Sequence, residues 1–321
     1  MNEKWIIIAV ASILVLCTQI GSKDISREEY CEKLWRYDIE CAIGYMFTAE
    51  ELQKISEIAE KLRGSNCKQT AWNVLEWVDR NVEYDFKKAS LPPPQVEISP
   101  VGIKVYNKER YFQTPSETVM MGKGICGDYA ILTDALLLYN GCKAYIVNIT
   151  FDGYSEGHIT AAIKINNSYY FLDQHLPPLD AGSYYKKWLK DGRVIIEAVI
   201  YSVNGTSELL DKTDFSSDYQ ITLQDVLELK EEMTRIIESE YKLKEDLRLG
   251  EKLPKGYTSG KILTLTMEDM ADYYTPEFKK EIAGYIVDKL VSKEDTGNYR
   301  SFKLDVEVLG NDIVAKMYLA K

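Results

Sequence analysis

The stretch Gly122-Lys-Gly-Ile-Cys-Gly-Asp-Tyr-Ala130 constrains the fold most, because it joins a sharp turn to a long apolar run. Gly122 and Gly124 let the backbone turn before that run. Ile131 to Tyr139 is long and apolar enough for a buried helix, and Asn140-Gly141 supplies its stop. Cys126 is therefore expected at, or just before, the N-terminus of a mostly buried helix. The partial positive charge of that end favours thiolate over thiol. A lone cysteine in such a place more often simply packs, so its neighbours must decide whether it is reactive.

Histidine is scarce. The chain holds only His158 and His175, so any imidazole chemistry falls to one of them. Ile159–Ile165 and Ser168–Asp173 are β-rich runs separated by Asn166-Asn167, a good two-residue hairpin turn. In that register Ile165 faces Ser168, Thr160 faces Asp173, and His158 faces His175. Alternation then puts His158, Thr160, Asp173 and His175 on one face, with His158 and Asp173 diagonal neighbours about 7–8 Å apart. A base and the acid that orients it need such a pairing.

Cysteine, histidine and aspartate thus follow in order, at Cys126, Gly157-His158 and Tyr170-Phe-Leu-Asp173. Upstream lie Ala71-Trp-Asn-Val-Leu-Glu-Trp-Val78, Asn81-Val-Glu-Tyr84 and Gln113-Thr-Pro-Ser-Glu-Thr118. Together these resemble the transglutaminase-like superfamily, with its papain-like Cys-His-Asp fold, and are most similar to an archaeal, membrane-anchored branch of it. The resemblance runs from about Cys67 to Asp180. It implies an α+β fold, a papain/transglutaminase-like core whose cysteine-bearing helix packs on an antiparallel sheet.

The resemblance also implies roles. Cys126 would attack an amide carbonyl, His158 would protonate the leaving amine, and Asp173 would fix the imidazole tautomer. The backbone amide of Cys126 and, by likeness to papain-type sites, the side chain of Gln113 would face the oxyanion. Water as acceptor gives hydrolysis of a peptide or protein, and an amine gives crosslinking. Hydrolysis ranks first, since neither an EF-hand loop nor a run of sandwich strands accompanies the motif. An amidase acting on glycosylated substrates is a further option on this fold. A non-catalytic binding module is the competing class. His175 is the rival base, and Cys126, His158, Asp173 and His175 are metal ligands by type. The resemblance points away from a metal, and no cofactor is expected.

The 321 residues suggest two domains, at roughly 100–200 residues each. A net charge of −11 argues against nucleic acid as a partner. Trp5–Ile20 is nearly all apolar, at the short end of a membrane span of about 17–25 residues. It reads as an uncleaved single-pass anchor, with a cleaved signal peptide as the rival, and the catalytic body is expected outside the cell. The domains are then 1–23 (anchor), 24–66 (N-terminal helices), 67–212 (core) and 213–321 (C-terminal α+β unit). Oligomeric state is left open.

Ser26-Arg-Glu-Glu29 and Thr48 with Glu51 start two helices before Arg63, and Cys67–Asn81 forms a third. Leu91-Pro-Pro-Pro94 opens a stiff loop to Tyr111 that could line a groove. Strands follow at 142–151 and 194–203. Ser216-Ser217-Asp218 marks a boundary. A helix then runs from Thr222 to about Leu247, another from Thr275-Pro-Glu277 to about Lys293, and a hairpin closes the chain around Gly310-Asn-Asp312. Of the six cysteines, Cys31, Cys41 and Cys67 could pair outside the cell, and a reducing compartment would leave them free.

Overall fold

The structure, a computed structural model, describes residues 25–99, 102–203, 205–211, 214–215 and 219–321. Its centre is a six-stranded, wholly antiparallel sheet. In spatial order the strands are Ser207–Asp211, Ile195–Ser202, Ala144–Phe151, His158–Ile165, Ser168–Leu172 and Leu179–Asp180. The helix Cys126–Tyr139 packs on this sheet and against helix Cys67–Asn81. Gly127 to Leu137 are all buried, as expected of a helix covered on every side. Asp134 is among them. Neither of its oxygens has a hydrogen-bond partner among the described residues, and burial holds its carboxyl far above the usual range.

The cysteine helix ends as its sequence requires. Gly141 is left-handed at φ 77°. Its N–H donates to the Leu138 carbonyl at 2.9 Å, and the Cys142 N–H donates to that of Leu137 at 3.0 Å. This Schellman closure brings Cys142 to the first residue of helix Cys67–Asn81, where Cys67 and Cys142 form a disulfide. Cys31 pairs with Cys41. Cys142 is the partner that spacing alone does not reveal. The Cys67–Cys142 bridge closes a loop of 75 residues, so Cys142→Ala is expected to cost about 2–4 kcal/mol. A lower thermal midpoint in the variant than in wild type without reductant, with the two converging once reductant opens the bridges in both, checks this. An unchanged midpoint would show that the bridge does not stabilise the native state.

Several boundaries differ from the sequence reading. The N-terminal region forms four short helices, Arg27–Leu34, Ile39–Met46, Ala49–Lys54 and Ser56–Lys61, because Asp38 caps a new one and the chain breaks at Ile55. The stiff loop after Leu91 carries a hairpin, Gln95–Ser99 with Gly102–Tyr106. The helix after Thr222 stops at Glu240, and Lys244–Glu245 joins a four-stranded sheet with Ser301–Leu309, Asp312–Ala320 and Gly260–Met267. Helices Leu223–Glu240 and Lys279–Val291 pack on this second sheet. Trp72 reaches into that C-terminal part, its ring 6.2 Å from Phe278 and 6.0 Å from Tyr285. The boundary marked at Ser216-Ser217-Asp218 lies outside the described residues.

The membrane expectation is corrected. Among the described residues no helix is long and apolar enough to cross a membrane, so the single-pass membrane assignment is not supported. The run Trp5–Ile20 on which it rested lies outside the described residues.

Candidate active site

Cys126 is the first residue of its helix and is half-buried. The turn before it is organised by Asp128, which is fully buried. One Asp128 oxygen accepts the Ile125 N–H at 2.8 Å and the other the Gln113 N–H at 2.7 Å, while Lys88 Nζ lies 2.6 Å from the carboxylate. Gly124 is needed for close approach. A Cβ there would sit 2.6 Å from the Asp128 Cβ.

His158 begins the next strand, paired with Ile149. A side chain at Gly157 would run into the Ile149 carbonyl, which accounts for the Gly-His sequence. The hairpin turns at Asn166 and Asn167, with φ 48° and 72°, and Ile165 faces Ser168 as the spacing predicts. The last ladder pair is Ala161 with Leu172, so Asp173 follows on the face of Thr160. His158 Nε2 then lies 2.9 Å from Asp173 Oδ1. That leaves Nδ1 as the ring nitrogen open to the Cys126 thiol, with which His158 interacts.

The electrostatics follow from this chain of contacts. Burial alone would push the Cys126 thiol up, but the hydrogen bond and charge of His158 and the Ile159 N–H outweigh it, and the thiol lies below its ordinary value. Burial would likewise lower His158. The Asp173 carboxylate and the thiol reverse this and hold the imidazole up at about 10. Asp173 is buried, yet His158 and Lys187 keep it well below the usual carboxylate range.

Gln113 and His175 both lie near this centre, each with a partner of its own. Gln113 is buried, and its Oε1 accepts the Thr118 hydroxyl at 3.0 Å, which leaves its Nε2 as the donor. His175 does not face His158. The ladder stops at Leu172, Gln174 takes a φ of 37°, and His175 pairs with Asp79 of helix Cys67–Asn81. Among the described residues no group of three or more His, Cys, Asp or Glu could hold a metal ion.

The sequence reading missed helix Ala181–Lys190, which supplies the outer part of the site. Lys187 Nζ reaches Asp173 Oδ2 at 3.1 Å, and the Tyr184 hydroxyl donates to the same oxygen at 3.3 Å. The Trp188 ring stands edge-on to His158 with centroids 4.7 Å apart. The signal was present: Asp180 accepts the Ser183 N–H as N-cap, apolar Tyr184, Tyr185 and Trp188 share helical spacing, and Gly192 ends the pattern. An open cleft of about 660 Å³ exposes Cys126 and His158, walled by Tyr84, Phe86, Arg110, Tyr154, Trp188 and Arg193. Tyr84 is pushed up to about 12 by burial and by the Cys126 charge, so it stays a neutral hydroxyl donor.

A protein of the UPF0252 group from Archaeoglobus fulgidus is 46% identical over 319 residues, covering 99% of this chain and 100% of its own length. The chain belongs to the UPF0252 family. A second UPF0252 protein, from Pyrococcus furiosus, is 27% identical over 291 residues, spanning 86% of this chain and 83% of that one. A family model described as a transglutaminase-like domain matches residues 53–201. This UPF0252 chain therefore carries a transglutaminase-like domain, and the expected superfamily is met at that level. Among solved structures, a candidate cysteine protease from Cytophaga hutchinsonii is 16% identical, with a TM-score of 0.31, covering 62% of this chain and 59% of its own.

Proposed function

We propose that this protein is a thiol amide hydrolase acting on peptides or proteins, with Cys126, His158 and Asp173 as its triad. The observation that carries the reading is the His158 ring, which bridges the Cys126 thiol and the buried Asp173 carboxylate beside one open cleft. In the resting state the thiol proton sits on His158. Cys126 Sγ attacks the amide carbonyl carbon, and the C=O electron pair moves to oxygen. When the tetrahedral centre collapses, the C–N bond breaks and Nδ1–H of His158 gives its proton to the leaving amine. Water, deprotonated by the now neutral His158, attacks the thioester and releases a carboxylic acid and the free thiol.

Asp173 holds the imidazole through Nε2, and Lys187 holds Asp173. The Cys126 N–H, at the start of its helix, is one oxyanion donor. For the second, the candidates are the cleft-lining hydroxyl of Tyr84 and the Nε2 of Gln113, whose Oε1 is held by Thr118.

Incubation of the full chain with a proteome-derived peptide mixture, read by mass spectrometry, tests the reading. New peptide termini are expected with wild type and not with Cys126→Ala. A reactive Cys126 that yields no dependent termini would overturn hydrolysis and leave a binding module.

A further inference from the structure

The cleft beside Cys126 holds two guanidinium groups in different situations. Arg110 is clamped by both oxygens of Glu156, at 3.2 and 2.9 Å, so its charge is matched. Arg193 makes no ion pair among the described residues, although the Glu156 carboxylate that Arg110 holds is near enough for Arg193 to help lower it. Its guanidinium carbon instead lies 5.5, 5.2 and 5.4 Å from the ring centres of Phe151, Tyr154 and Trp188.

The backbone fixes it there. Gly192 is left-handed at φ 76°. Its N–H donates to the Leu189 carbonyl at 3.0 Å and the Arg193 N–H to that of Trp188 at 2.9 Å, a Schellman closure that folds Arg193 back over Trp188. These cation–ring contacts occupy none of the guanidinium N–H groups with a hydrogen bond among the described residues, so its fork is available to a carboxylate. Contacts run from Cys126 to His158, from His158 to Trp188, and from Trp188 to Arg193. Arg193 is thus reached from the thiol through the imidazole, the side on which the leaving amine takes its proton.

We propose that Arg193 binds a carboxylate on the amine half of the substrate, so that the site selects amide bonds whose leaving fragment is acidic there. The inference rests on the reading of Cys126 as nucleophile and His158 as acid. A protein of net charge −11 repels acidic ligands in general, so a local cation whose N–H groups are not already in an ion pair is what such a substrate requires. Two sources supply the carboxylate: an acidic side chain, or the free C-terminus of a short leaving fragment.

The test alkylates Cys126 in the full chain with reagents that place an amine half beyond the reacting carbon. N-bromoacetyl-aspartic acid α-amide carries a side-chain carboxylate, N-bromoacetyl-glycine a terminal one, and N-bromoacetyl-asparagine amide neither. Iodoacetamide reports the thiol itself. At least one acidic reagent is expected to react about tenfold or more faster than the neutral one at low salt. The preference should shrink near 1 M salt and in Arg193→Gln, while Arg193→Lys keeps part of it. Each preference is a ratio within one sample, so a loss of folded protein cancels. The faster acidic reagent identifies the source. Equal rates in wild type, with iodoacetamide still fast at low pH, would overturn the role of Arg193 alone. A preference that survives Arg193→Gln would assign it to another group. Slow iodoacetamide reaction at low pH would overturn the thiolate reading, and this inference with it.

Discussion

Replacing His158 with alanine will slow alkylation of Cys126 by iodoacetamide at about pH 6 by roughly tenfold or more. An ordinary thiol of pKa about 8.5 is only about 0.3% ionised at that pH, so losing the ion pair removes up to about 300-fold in thiolate. The thiolate that remains is intrinsically more nucleophilic, with a Brønsted slope of about 0.4–0.5, and this returns part of the loss. In wild type the reaction should be fast well below the ordinary thiol range, because His158 holds the thiol down. In His158→Ala burial and the Asp173 charge raise the thiol with only the Ile159 N–H against them, so the profile should move towards the free-thiol range. Wild-type and variant profiles that coincide would sink the triad.

The sign of each shift sets the working window. The Cys126 thiol is lowered, so the charged pair appears below the ordinary thiol value and is lost as pH falls further. His158 is raised to about 10, so its contribution is complete below the ordinary imidazole value and is lost as pH rises through about 10. Asp173 is lowered, so its contribution is present above the ordinary carboxylate value and is lost at acid pH. Alkylation needs only thiolate and should stay fast above pH 10, whereas amide turnover also needs the imidazolium proton and should fall there. Asp173→Asn removes the largest cause that raises His158, so the alkaline limb of turnover should move to lower pH.

The site was legible in the sequence where local rules act alone. Two asparagines able to take positive φ fix the hairpin register, and that register carries His158 to Asp173. The glycines around Cys126 and the stop at Gly141 place the thiol at a helix start. Where tertiary packing decides, the sequence was silent. His175 leaves the ladder because the strand ends at Leu172 and Asp79 captures its ring. Helix Ala181–Lys190 is short and ends in Lys, Asp and Gly, and only its packing shows that Lys187 and Trp188 belong to the site. Gln113 carries an oxyanion role only by likeness; packing ties its Oε1 to Thr118 and its backbone N–H to Asp128, which fixes the amide beside the turn before Cys126 and leaves Nε2 as the donor. The distinction between Arg110 and Arg193 is also invisible in sequence, since it depends on which of them Glu156 reaches.

Asp128→Ala will cost about 3–5 kcal/mol, the range for breaking a buried ion pair by removing one partner. Asp128 is fully buried and Lys88 nearly so, with Nζ 2.6 Å from the carboxylate. Removing the carboxylate strands that ammonium and also orphans the N–H groups of Ile125 and Gln113. Urea denaturation of wild type and variant measures the loss. Those same two amides hold the turn before Cys126, so the variant that remains folded should also show slower Cys126 alkylation at low pH. Replacing both partners, as Lys88→Met with Asp128→Leu, removes the stranded charge but leaves two unmet N–H groups, each costing about 1–3 kcal/mol. The double variant should therefore be more stable than Asp128→Ala while its thiol stays slow. A cost below about 1 kcal/mol for Asp128→Ala would mean the ion pair is not coupled to folding. Full stability together with full reactivity would mean that the start of the cysteine helix is held by its glycines and packing alone.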